Sequence, residues 1–209
     1  MIEAEYDEEG VYFYQAFNDA IADWALEHQC LGGEEFKPAR MTWIKPSFAW
    51  VLYRSGYASK HHQTRILKIK LSHATVAELL SECSCGHGGG GAVGRVQWDP
   101  ARDIMTSDGR EPGRRMRTRA IQIGVRARLS ELYVSRILSV EDVTDLAHRV
   151  GRAHLAKTGA EQLMQELIKD LPDERAYTPA CSDEVLTNLG MKEGPVAEAI
   201  SKIGFGKTK

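Results

Sequence analysis

Between residues 36 and 77 the chain carries eight Lys or Arg and no Asp or Glu: Lys37, Arg40, Lys45, Arg54, Lys60, Arg65, Lys68 and Lys70. A mixed surface of ordinary composition would have supplied several acids over that length. Trp43, Phe48, Trp50, Tyr53 and Tyr57 are interleaved with these cations. Cations hold phosphates and aromatic faces stack on bases, each stack being worth about 1–3 kcal/mol. The combination points to nucleic acid, as RNA or a single strand. On this reading Lys45, Lys60, Arg65 and Arg119 hold phosphates, and Trp43, Trp50 or Tyr57 stacks on a base. Arg40, Tyr53 and Arg54 complete the candidate set. The plainer reading puts Trp43, Phe48 and Trp50 in the core and leaves the cations solvated.

Other reactive residues show less order. Arg110, Arg114, Arg115, Arg117 and Arg119 crowd a Gly-containing stretch, and arginine forks grip phosphate with two bonds at once. Cys83, Cys85 and His87 lack the paired ligand spacing of a structural zinc site, so no metal is expected. The run from Gly86 to Gly91 lacks the Gly-Lys-Ser/Thr ending of a phosphate loop and reads as a flexible linker. No Gly-x-Ser-x-Gly or Cys–His signature appears among the seven histidines and many hydroxyls. No cofactor is implied.

A chain of 209 residues suits a single domain that buries roughly 70% of its unfolded surface. Three regions are expected: an acidic helical region over about 1–35, a core over 36–137 and a helical region over 138–209. Residues 1–35 hold ten acids and no Lys or Arg, while the whole chain has a net charge of −2. The local field, not the total, steers a charged ligand. No apolar run reaches the length of a membrane span, and the acidic start does not read as a signal peptide. An intracellular protein, cytoplasmic or nuclear, is expected, and its four cysteines form no secreted-type framework.

The elements that must position these residues follow from periodicity. An amphipathic helix is expected over 14–29, a strand over 41–44 and a short helix from Ser47 to Arg54 with Gly56 as its cap. Residues 65–71 alternate as a strand with Lys68 and Lys70 on a wet face. A helix over 75–83 follows, then a strand from Arg95 stopped by Pro100 and a strand over 120–125. Helices close the chain at 129–137, after a Ser139 N-cap, at 160–171 and near 185–189. Strands scattered among helices imply an α+β fold, with a small mixed β-barrel or strongly curved sheet and several added helices.

Five blocks then carry a resemblance: Tyr12–Asn18, Arg40–Phe48, Tyr53–Gly56, Val96–Pro100 and Arg119–Gly124. Together they resemble the family catalogued as domain of unknown function 4291, over roughly residues 10–190. The stretch Ile44–Ala49 followed by Gly56, Lys60 and Arg65 is also similar to the opening of ASCH domains, relatives of PUA modules. That likeness implies a small RNA-binding barrel. Its amidohydrolase branch uses a Lys, a Thr and a Glu. Lys60 and Thr64 match the first two, while His62 or Gln63 stands near the acid's place.

Binding of nucleic acid is thus the leading expectation. The alternative is an enzyme acting on a nucleotide or modified nucleoside in the same cleft. It would be amidohydrolase-like through Lys60 and Thr64, or a nucleotidyl or ADP-ribosyl transferase through Arg40 and Tyr53. A carboxylate such as Glu78 or Asp99 brought beside a buried Lys60 would favour it. In a third reading the acidic first 35 residues pair with the basic stretch inside an interaction module.

Overall fold

The computed structural model describes residues 1–86, 93–105, 113–156 and 158–202. The first half runs β1 (Ile2–Ala4), β2 (Gly10–Phe17), α1 (Asp19–His28), β3 (Thr42–Ile44), α2 (Phe48–Ser55), β4 (Arg65–Ser72), α3 (His73–Ser81) and β5 (Cys83–Cys85). Next come β6 (Gly94–Asp103), β7 (Arg114–Val125), α4 (Arg128–Ser135), β8 (Ile137–Asp142), α5 (Thr144–Leu155) and α6 (Ala160–Leu167). A 3-10 turn at Ile168–Asp170, β9 (Arg175–Tyr177), α7 (Asp183–Asn188) and α8 (Pro195–Lys202) complete the described chain. The fold is α+β. Its strands form three sheets, ordered β1-β9, β2-β4-β8 and β3-β7-β6-β5. None closes on itself, so the expected barrel is corrected to open sheets.

The principal core lies between the two larger sheets. Val11, Phe13, Leu67, Ile69 and Leu71 meet Ile44, Val96, Ile121 and Ile123, with Leu79 and Tyr133 from α3 and α4 filling the ends. A second core lies on the far face of β2 and β4, where Tyr14 and Ile66 pack under Phe48, Leu52, Val150 and Met164. β2 is therefore buried on both faces. Its apolar run does not alternate, which is why Tyr14–Phe17 also fits a helical period. The helix in fact begins at Asp19, where the Asn18 side chain accepts from the Ile21 N–H at 3.0 Å.

Three further expectations are corrected by long-range pairing. Residues 137–142 pair with β4 as β8, so Ser139 caps nothing. Asp142 instead accepts from the Thr144 N–H at 2.9 Å, where α5 starts. Pro100 does not stop β6, which runs on to Asp103 across a register shift between Pro100 and Arg102; a proline without an N–H is tolerated at such an irregularity. Residues 114–119 belong to β7. The rest of the expected Arg-rich loop, with Arg110, and most of the glycine-rich linker lie outside the described residues.

The supposed wet face of β4 is closed. Lys68 pairs with Glu5 at 2.8 Å, and Lys70 with Asp7 at 2.9 Å and Glu9 at 2.5 Å. Both ammonium groups lie over the Tyr12 ring, and Lys70 is only 7% exposed. Among the described residues no helix is long and apolar enough to cross a membrane.

Candidate functional site

The two larger sheets join at Lys45. The Tyr14 N–H donates to the Lys45 carbonyl at 2.7 Å. The Gln15 amide donates to Thr42 Oγ1 at 2.8 Å and to the Trp43 carbonyl at 3.2 Å. On its other side Gln15 Oε1 accepts from the Tyr133 hydroxyl at 2.6 Å. Gln15, 3% exposed, thus fastens β2, β3 and α4 together with every bond internal, as a buried amide requires. It carries no charge, and although it lies in the Tyr12–Asn18 block nothing there marks it as a site residue.

Pro46 and Ser47 turn the chain directly from β3 into α2. Ser47 Oγ accepts from the Trp50 N–H at 3.4 Å, and Gly56 closes the helix in the left-handed conformation, φ 61°. A left-handed residue at this cap is cheap only for glycine. The helix so fixed sets Val51 and Arg54 over the β2–β3 junction. Together with Gln15, Thr42, Trp43, Lys45 and Gln63 they line a cavity of about 200 Å³. The Trp43 indole forms one wall, resting on Gly124 of the neighbouring strand, where a Cβ would come within 2.9 Å of the ring.

Lys45 is half-buried, and its Nζ donates to the Trp43 carbonyl at 3.2 Å. Burial pushes its ammonium down to about 8, and the Arg54 charge adds to this while Asp99 opposes it. Asp99, on β6, is raised by burial, against the pull of Gln122, Arg54, Lys45 and Arg119. Its Oδ2 accepts from Gln122 Nε2 at 2.5 Å, and the same amide reaches Gln97 Oε1 at 3.3 Å. The carboxylate whose charge reaches Lys45 is therefore Asp99, with no ion pair between them.

The acid-free segment divides into two groups. Lys68 and Lys70 are neutralised as described, and Arg65 meets Asp23 at 2.7 Å, Asp142 at 2.5 Å and Asp19 at 3.8 Å. Among the described residues no carboxylate lies within ion-pair distance of Lys45 or Arg54. Arg65 is thus a structural clamp between α1, β4 and β8. Arg65→Met is expected to lower stability by about 1–2 kcal/mol, because it strands Asp142 and Asp23 near each other. Urea melts measure this, and an unchanged midpoint would contradict the clamp.

The other sequence candidates are spread around this centre. Arg40 is exposed on the turn before β3. Trp50 is 6% exposed and stacks on Tyr53 at 5.5 Å, with Nε1 lacking a hydrogen-bond partner among the described residues. It is a core residue, so the expectation of a free stacking face is corrected there. Tyr53 already carries the Arg102 guanidinium at 3.4 Å. Tyr57 packs on Gly151 and lies edge-on to His154 at 5.8 Å. Lys60, exposed, donates to the Arg54 carbonyl at 2.7 Å, whereas Thr64 turns to Asp19 at 3.3 Å. Arg119 lies opposite Pro100. With Trp98, Arg117 and α8 it lines a groove of about 360 Å³.

The site is a basic cavity at the junction of two open sheets, flanked by an arginine-bearing strand. The chain belongs to the family described as Domain of unknown function (DUF4291), whose model matches residues 1–177. No curated protein matches it.

Proposed function

We propose that the protein binds single-stranded nucleic acid, RNA or DNA, at the cavity between β3 and α2. The observation that carries this reading is the convergence of Lys45 and Arg54, two cations without a carboxylate partner among the described residues, on a cavity walled by Trp43. Arg119 lies within charge range of the same Asp99. Arg115 and Arg117 precede Arg119 on the same side of β7 as exposed side chains, a line along which further phosphates would lie. Trp43 is the aromatic left to meet a base, and the Gln63 amide, which lines the same cavity, offers a polar contact to its edge. Each phosphate engaged on a single strand contributes about −0.7 to the log–log salt slope.

Four contacts, at Lys45, Arg54, Arg117 and Arg119, would give a slope of about −3. Fluorescence anisotropy with labelled single-stranded RNA and DNA across a salt series measures it. Arg54→Ala is expected to weaken binding about tenfold and to flatten the slope by about 0.7. Salt-insensitive binding, or none to either polymer, would overturn the reading.

A further inference from the structure

We propose that Lys45 is a nucleophile that forms a covalent imine with an aldehyde-bearing sugar phosphate seated in this cavity; the inference rests on the anion-binding reading of the same site. The lysines of this chain differ in what holds their nitrogen. Lys68 and Lys70 face carboxylates at 2.5–2.9 Å, which fix a proton on each. Lys192 pairs with Asp183 at 2.5 Å. Lys45 has no such partner among the described residues, and its hydrogen bond goes to the Trp43 carbonyl at 3.2 Å. A neutral amine satisfies that bond with one N–H and keeps its lone pair for another direction, and Lys45 lines the cavity.

The surroundings raise the share of neutral amine above that of an exposed lysine. Half-burial and the neighbouring Arg54 guanidinium both work against the ammonium and hold it near 8. A lysine desolvated next to a second cation is a recognised way of activating an amine. At pH 7.5 its neutral fraction exceeds that of an ordinary lysine by about two orders of magnitude. Arg54 has a second use in the same place, as a charge for the sugar's phosphate. Asp99 lies within charge range of Lys45 and opposes the shift without pairing with it.

The step balances without an oxidant or reductant. The amine lone pair adds to the carbonyl carbon, and the C=O π electrons move to oxygen, which takes a proton. The resulting carbinolamine loses its hydroxyl as water after a further protonation. The nitrogen gives up its remaining proton as the C=N bond forms. The products are one imine and one water. Two sources supply such an aldehyde: a free sugar phosphate in its open-chain form, and an abasic site in a single strand.

The full chain incubated with cyanoborohydride and either ribose 5-phosphate or an oligonucleotide holding one abasic site tests the proposal. The reductant converts the imine to a stable secondary amine, and peptide mass spectrometry maps it. The adduct is expected on Lys45, at least about tenfold above any other lysine, with a rate that rises between pH 7 and 9. It should be absent in Lys45→Arg. Adduct with ribose 5-phosphate alone assigns the free sugar as the source, and adduct with the oligonucleotide assigns the polymer. Adduct scattered over surface lysines such as Lys60, or none with either probe, overturns the proposal even if anisotropy shows that intact strands bind. Conversely, an adduct on Lys45 with ribose 5-phosphate, alongside no binding of intact strands, would leave the amine chemistry standing and remove the nucleic-acid reading.

Discussion

Lys45→Met should raise thermal stability at pH 7 while weakening oligonucleotide binding by tenfold or more. The ammonium has a pKa of about 8 in the folded chain against 10.5 for an unperturbed lysine. The unfolded state thus binds this proton more tightly than the folded state. Below pH 8 the charged side chain counts against folding in full. The penalty shrinks as pH rises from 8 and is gone above 10.5. One pKa unit corresponds to about 1.4 kcal/mol, so the penalty at pH 7 is at most about 3 kcal/mol. Methionine keeps an unbranched apolar stem and removes the charge. The Trp43 carbonyl loses one donor but retains the Gln15 amide at 3.2 Å.

A net gain of about 1–3 kcal/mol moves the midpoint up by roughly 2–12 °C for a chain of this size. The advantage of the variant should narrow when both proteins are melted at pH 9.5. Opposite signs for stability and binding are what a functional site predicts, since a merely structural lysine would be missed by the fold. A lower midpoint for Lys45→Met at pH 7 would mean that the ammonium is held for packing or bonding, and both the binding and the imine proposals would lose their basis.

What could be read from the chain alone was what is local. The α2 helix and the Gly56 stop lie within ten residues and follow from short-range chemistry, and the structure has both, with Ser47 as the N-cap and not inside the helix. β3 and the strand over 65–71 were legible for the same reason. The membership suggested by blocks such as Arg40–Phe48 also holds. Pairing between distant segments was not legible. β8 looks like a helix start until it is laid against β4, and β2 looks helical because both of its faces are apolar.

The same limit applies to charge. The absence of acids from 36–77 marks a cationic segment of the sequence, but it could not tell Lys45 from Lys68, whose ammonium meets Glu5. That distinction depends on Glu5, Asp7 and Glu9, which the β2 hairpin carries onto the outer face of β4. Part of the acidic N-terminus thus answers the basic segment within one chain, and what it leaves unanswered is the cavity. Asp99 was recognisable as a candidate acid. Its proximity to Lys45 arises from the β3-β7-β6 order, which no spacing encodes.

Glu174→Gln should abolish a pH-dependent loss of stability that the native chain shows between pH 5 and 8. Glu174 Oε1 accepts from the Phe48 N–H at 2.6 Å, so a residue from the chain's later part caps α2, the helix that carries Val51 and Arg54. Burial pushes its carboxyl up to about 7; the Phe48 and Ser47 donors pull it down, and Glu5 and Glu3 push it further up. Here the folded state binds the proton more tightly than the unfolded state, whose carboxyl titrates near 4.5. The stabilisation is therefore complete below 4.5 and is lost as pH rises through 7. The full difference would be about 3 kcal/mol; partial solvent access reduces it to about 1–2 kcal/mol. Glutamine is neutral throughout, and its carbonyl still accepts the Phe48 N–H. The variant should match the native chain near pH 5 and exceed it at pH 8. Because both proteins share every other titrating group, the difference between their urea midpoints isolates this carboxyl. Superimposable pH profiles would mean that Glu174 is solvated and charged throughout, and that the α2 cap acts without a buried proton.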